Sequence, residues 1–134
     1  MEAFLEISGK KLVVKNILKG LSVQKHAAVW QKGDPMYRRG SKIHKQSGIR
    51  INICNKSTFK QQLIEVDKYL RKYKKEIVKL RSNPTVEMAI IRFGVNWFEG
   101  EDISKLSYLP NEFMLLCGLL RIDVLLCEYL TSKK

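Results

Sequence analysis

The sequence is poor in the residues that build the commonest catalytic and metal sites. It has only two histidines, His26 and His44, in 134 residues. Nucleophilic catalysis needs a nucleophile, a base and an orienting group brought together. His26 opens an apolar stretch, and His44 stands in a basic loop with no acid near it in sequence. The three cysteines, Cys54, Cys117 and Cys127, are odd in number, sit in apolar stretches and form no CxxC pair. That pattern argues against a disulfide framework and against zinc, and leaves buried free thiols in a reducing compartment. Carboxylates cluster only at Glu99, Glu101 and Asp102, too few and too close together for a divalent-cation loop; a turn accounts for them. No Walker loop, GxGxxG or HExxH occurs. A membrane-spanning helix needs about 20 largely apolar residues. The longest apolar run, Phe113 to Leu120, stops at Arg121 and is followed by Asp123 and Glu128, so it is expected in the core. The opening MEAFLEISG carries an acid at position 2 and no continuous apolar run, unlike a signal peptide. These absences predict a non-enzymatic cytoplasmic protein without cofactor or metal.

What the chain does have is positive charge, unevenly placed. The net charge is +12, of which residues 1–56 carry +9, residues 57–81 carry +5 and residues 82–134 carry −2. Such asymmetry points to an anionic partner: a nucleic acid, an acidic protein or a membrane surface. Hydrophobic residues make up 45% of the chain, enough for one core and too many for a disordered tail. The length suits a single domain spanning residues 1–134.

Periodicity sets the order of elements. Phe4 to Ile7 reads as a strand ending at Ser8-Gly9. Residues 12–18 carry a helical stripe, with Gly20 suited to the C-cap. His26 to Gln31 reads as a strand bearing Trp30. Residues 33–48 are rich in Gly, Pro, Ser and charge and predict a long loop. Ile49 to Ile53 alternates like a half-buried strand. In residues 58–81, Phe59, Leu63, Val66, Leu70, Tyr73, Ile77 and Leu80 recur every three or four positions, one stripe of one long helix. Thr58 with Gln61 fits a capping box and Asn83-Pro84 a stop. Its other face carries Lys60, Lys68, Arg71, Lys72, Lys74, Lys75 and Lys79. Residues 86–97 predict a central strand buried on both faces. Pro110 suits the first turn of a helix over residues 111–120, and residues 122–129 predict a closing strand. The resulting β-α-β-β-α-β-α-β order predicts an α+β domain. It would have a mostly antiparallel sheet of about five strands, a ferredoxin-like β-α-β-β-α-β core and helices on one face.

The loop holds the best candidate site. Lys32, Arg38, Arg39, Lys42, Lys45 and Arg50 surround Trp30 and Tyr37. Arginine forks onto carboxylates or phosphates, and the aromatics can anchor an interface or stack on bases. His44 with Lys42 or Tyr37 could on paper cleave RNA, but their spacing is not diagnostic of an acid–base pair. Against these readings, a tryptophan on a strand is commonly half-buried core, and a lysine-rich helix face is commonly solvated.

Val29-Trp30-Gln31-Lys32-Gly33-Asp34, then Ser47-Gly48-Ile49-Arg50-Ile51 and a closing Leu119-Leu120-Arg121-Ile122-Asp123-Val124, together resemble a bacterial family of small single-domain proteins of unknown function. Proteins of this type are similar to immunity proteins of contact-dependent and polymorphic toxin systems, which neutralise a toxin by binding it. The resemblance implies no catalytic residues. It implies a cognate toxin as partner, whose contact surface must be acidic, since this chain departs from the type in being so basic. The expected site is Trp30, Lys32, Tyr37, Arg38, Arg39, Lys42, His44 and Lys45; a nucleic acid bound by the same loop and the helix face is the alternative.

Overall fold

The structure, a computed structural model, describes residues 2–20, 27–37, 40–98 and 108–131. In chain order the elements are β1 (Glu2–Gly9), α1 (Val14–Gly20), β2 (Ala27–Trp30), β3 (Ser47–Asn55), α2 (Phe59–Lys72), α3 (Lys74–Arg81), β4 (Met88–Phe98), α4 (Asn111–Leu119) and β5 (Asp123–Thr131). The α+β class follows directly from that order. The strands form one five-stranded sheet in the order β2-β3-β1-β4-β5. β1 runs antiparallel to β3 and β4, β2 antiparallel to β3, and β5 parallel to β4. β3 therefore lies between β1 and β2, and β1 lies between β3 and β4, so each of the first two β-α-β units is split by a strand of the other.

One face of the sheet is the core. Side chains alternate along a strand, and in β1 Ala3, Leu5 and Ile7 are buried while Glu2, Phe4 and Glu6 point the other way. Ile49 and Ile51 of β3 and Ala89, Ile91, Phe93 and Val95 of β4 join the buried set. The helices cover this face. The stripe on α2 and α3 buries Val66, Leu70, Ile77 and Leu80 and half-buries Phe59, Leu63 and Tyr73. Phe93 ties the layers together, with ring centroids 5.1 Å from Phe59 and 6.0 Å from Phe113 in edge-on arrangements.

Several features depart from the periodicity reading. The long helix breaks at Tyr73, whose φ of −104° and ψ of 21° close α2 and open α3. The flanking bonds survive, Tyr73 N–H to the Tyr69 carbonyl and Ile77 N–H to the Tyr73 carbonyl, each 3.0 Å. Both halves of the stripe thus stay on the core. At the start of α2, the Thr58 hydroxyl accepts from the Gln61 N–H at 3.2 Å, as the capping motif predicts. Gln62, on the polar side of that motif, is fully buried and donates to the Lys56 and Gly94 carbonyls at 3.0 and 2.7 Å. β4 is flanked by strands on both sides but buried on one face only: Met88 is exposed and Ile90, Arg92 and Asn96 are half-buried. Pro110 precedes α4 as its N-cap, with extended backbone at φ −62° and ψ 143°. The apolar run that follows is only half core, because Phe113, Leu116, Cys117 and Leu120 are buried while Met114, Leu115 and Leu119 face solvent.

Candidate partner-binding site

The described residues of the predicted loop, 33–37 and 40–48, form a paired ribbon. β2 pairs with β3 so that Trp30 lies opposite Gly48. The indole crosses the Gly48 backbone, where a Cβ would collide with the Trp30 ring. Glycine is required there by close approach. Beyond Trp30 the chain turns tightly, with Gln31 N–H donating to the Asp34 carboxylate at 2.7 Å and Asp34 N–H to the Gln31 carbonyl at 3.0 Å. The turn uses Gly33 at φ 95°, a conformation that favours glycine. The two arms then pair. Gly33 N–H donates to the His44 carbonyl at 2.8 Å, His44 N–H to Asp34 at 2.9 Å and Met36 N–H to Lys42 at 3.0 Å. Pro35 stands opposite Ile43, and Lys32 N–H is held by the Ser47 hydroxyl at 2.9 Å.

This folding brings together Trp30, Lys32, Tyr37, Lys42, His44 and Lys45. The Trp30 and His44 rings stack with centroids 5.0 Å apart and planes 22° from parallel. Both are half-buried, whereas Lys32, Lys42 and Lys45 are exposed. Tyr37 is 61% exposed, and Ile43 and Met36 beside it are 55% and 43% exposed. Ile43 and Met36 are part of this surface that the reading of charge and aromatics missed; their position between turn residues gave no periodic signal. Arg38 and Arg39, like His26 and the Glu99, Glu101 and Asp102 cluster, lie outside the described residues.

Arg50 is committed elsewhere. It lies on the open face of the sheet with its guanidinium 4.4 Å from the centroid of the Phe4 ring and 3.5 Å from Glu6 Oε1. Glu6 Oε2 is 3.0 Å from Arg92, so one carboxylate bridges two arginines across β3, β1 and β4. The even positions of these strands carry that signal in sequence, but it reads as alternation and not as a site. A groove of about 360 Å³ on this face is lined by Phe4, Arg92, Gly94, Cys127 and Tyr129 among others. The lysines and Arg71 of α2 and α3 are exposed on the helix layer, where Asp67 pairs with Arg71 at 2.7 Å and Glu65 with Lys68 at 3.9 Å.

The described side chains of the site are apolar, aromatic and basic. Among the described residues no carboxylate forms an ion pair with His44, and no three His, Cys, Asp or Glu side chains converge to hold a metal. Burial pushes the Cys117 thiol up to about 11 and also raises Cys54, which keeps both protonated and poorly nucleophilic at neutral pH. No helix among the described residues is long and apolar enough to cross a membrane. Comparison with protein-family models, with curated proteins and with solved structures finds no match.

Proposed function

We propose that the chain is a non-enzymatic protein-binding inhibitor, an immunity protein that neutralises a cognate toxin by docking its ribbon, residues 31–37 and 40–46, on an acidic surface. The observation that carries this reading is the composition of the ribbon's exposed face. Met36, Tyr37 and Ile43 stand in solvent within a surround of Lys32, Lys42 and Lys45. Apolar and aromatic anchors inside a charged rim are the anatomy of a protein–protein interface, where buried anchors hold the complex and rim charge speeds encounter. Main-chain pairing within the ribbon reduces the ordering cost of binding. The resemblance to toxin-neutralising proteins supplies the class of partner, and the net charge of +12 supplies the sign of its surface.

The rival reading, a single-stranded nucleic acid on the same residues, needs aromatic faces free for stacking. One of the site's two rings is already engaged: the Trp30 ring lies on Gly48 and stacks on His44, which leaves Tyr37 as the exposed ring. An RNA strand also gains little from exposed Met36 and Ile43.

The test is binding of the purified chain to the product of the neighbouring reading frame, since an immunity gene lies beside its toxin gene. A stable complex that protects cells from that product, with dissociation accelerated by Tyr37→Ala and by Ile43→Asp, supports the proposal. Absence of any such complex, together with RNA binding that falls steeply with added salt, overturns it in favour of the nucleic-acid reading.

A further inference from the structure

The two edges of the sheet are built differently. Edge strands expose unpaired main-chain groups, and proteins usually blunt them with short length, lysine, proline or a bulge. β2 follows that rule with four residues. β5 does not. It has nine residues, Asp123–Thr131, with no lysine, arginine, proline or glycine, and its pairing with β4 runs without a register shift. Among the described residues nothing pairs with its outer side. Leu125 and Tyr129 are exposed on the open face of the sheet.

The helix leading into this strand has the same character. α4 buries Phe113, Leu116, Cys117 and Leu120 on one side, yet its opposite side carries Met114, Leu115 and Leu119, the last two 64% and 66% exposed. Gly118 lies between them with open space where a Cβ would be. A helix apolar all round is normally covered all round. The charge also changes here. Residues 108–131 hold one basic side chain, Arg121, against Glu112, Asp123 and Glu128, in a chain with 25 lysines and arginines. An acidic protein or an anionic membrane gains nothing at such a surface. Two copies of a chain of charge +12 repel each other least when they meet here.

We propose that this edge pairs with the same edge of a second copy, β5 against β5 antiparallel, about a two-fold axis normal to the sheet at Cys127. The register follows from the strand itself. An axis normal to the sheet keeps the helix layers of both copies on one side, so each strand position must meet a position facing the same way. Three central residues satisfy this near the middle of β5: Leu126, Cys127 and Glu128. Centring on Glu128 sets that carboxylate against its own copy, which is destabilising. Centring on Leu126 leaves the end of the strand unpaired. Cys127 is the midpoint of Asp123–Thr131, so centring there pairs the whole strand. It also sets Leu125 opposite Tyr129 of the second copy, twice, as apolar cross-strand pairs on the open face. The axis makes the contact self-complementary and closed, two copies and no more. Two five-stranded sheets become one, and the ribbons beside β2 lie at its two far ends. This proposal is independent of what the ribbon binds.

The experiment is sedimentation of the full chain across a wide concentration range. It is combined with a short bis-maleimide cross-linker and mass spectrometry of the linked cysteines. The expected result is a dimer with a Cys127–Cys127 link. Leu125→Lys and Tyr129→Lys should each weaken it by at least about tenfold, with circular dichroism unchanged because both sites are exposed. A monomer at every concentration overturns the proposal. So does a dimer that survives both lysine variants or links through Cys54, because the contact then lies elsewhere.

Discussion

The β2 end and the β5 end of the sheet solve the same problem, an exposed edge, in opposite ways. At the β2 end the edge strand is four residues long, and the chain continues into a ribbon whose turns satisfy its own main chain. Its surface is lysine-rich. At the β5 end the strand is nine residues long, its surround is apolar and weakly acidic, and the helix above it shows leucine to solvent. The first arrangement tolerates water and attracts anions. The second leaves apolar side chains in water, as interaction sites do. One sheet therefore carries, at its two edges, two surfaces of unlike chemistry.

Both surfaces depend on the core between them, so the largest expected effect is a core truncation. Leu70 is fully buried on α2. Leu70→Ala should cost about 2–5 kcal/mol, the range for a cavity left by a buried leucine. Chemical denaturation should show one transition at lower denaturant for both ends. Two separate transitions would show that the ends fold independently and that the comparison is between two subunits of stability within one sheet.

A smaller and one-sided effect is expected at Gly48. A methyl group there meets the Trp30 ring, and the Ile7 carbonyl lies 2.9 Å away. Gly48→Ala should cost about 1–3 kcal/mol, as overpacking does. Because Trp30 ends the short edge strand, it is what gives way. Amide exchange should quicken through the ribbon and β2 and stay unchanged in β4 and β5. Equal quickening in β5 would mean that strain crosses the sheet and that the two ends are coupled.

The order of elements was legible because this chain states it locally. The seven-residue stripe of α2 and α3, the alternation of β1 and β3 and the Thr58 cap are each short-range signals with a physical cause. What stayed hidden was decided by distance. The break at Tyr73 has no proline or glycine to announce it. Gln62 is polar in sequence but is drawn into the core by the carbonyls of Lys56, just past β3, and Gly94 of β4. Phe113 to Leu120 is uniformly apolar, so composition could not separate its buried side from its exposed one. The candidate site was found by its charge and aromatics. Its order was not, because residues 33–48 read as punctuation while cross-loop pairs such as Pro35 with Ile43 depend on register.

A pH experiment probes the inner side of α4. Burial raises the Cys117 thiol from 9.0 to about 11. In the unfolded chain that thiol ionises first, so above about pH 9 the unfolded state holds fewer protons than the folded state. Stability is then full below pH 9 and lost progressively up to about pH 11. Cys117→Ala should show a shallower alkaline loss than the wild type, measured as the difference between their denaturation midpoints at each pH. Identical slopes would mean that the thiol reaches water in the folded state, and that the inner side of α4 is as open as its outer side.

The smallest effect on stability is expected from the ribbon's charge, and it separates the two ends most cleanly. Lys42 and Lys45 are exposed and form no ion pair among the described residues. Reversing both to Glu should change unfolding free energy by no more than about 0.5 kcal/mol, as for surface substitutions generally. Binding should respond far more than folding. Each reversal removes an attraction to an acidic partner and adds a repulsion, so association should slow and its salt dependence should weaken, while dissociation stays near the wild-type rate. Tyr37→Ala should do the reverse, because an apolar anchor acts after encounter. Self-association through β5 should not change with either variant, since neither side chain lies at that edge. If Lys42→Glu with Lys45→Glu alters sedimentation as Leu125→Lys does, the basic and apolar ends meet each other in a head-to-tail contact. The self-pairing of β5 would then give way to an open chain of copies.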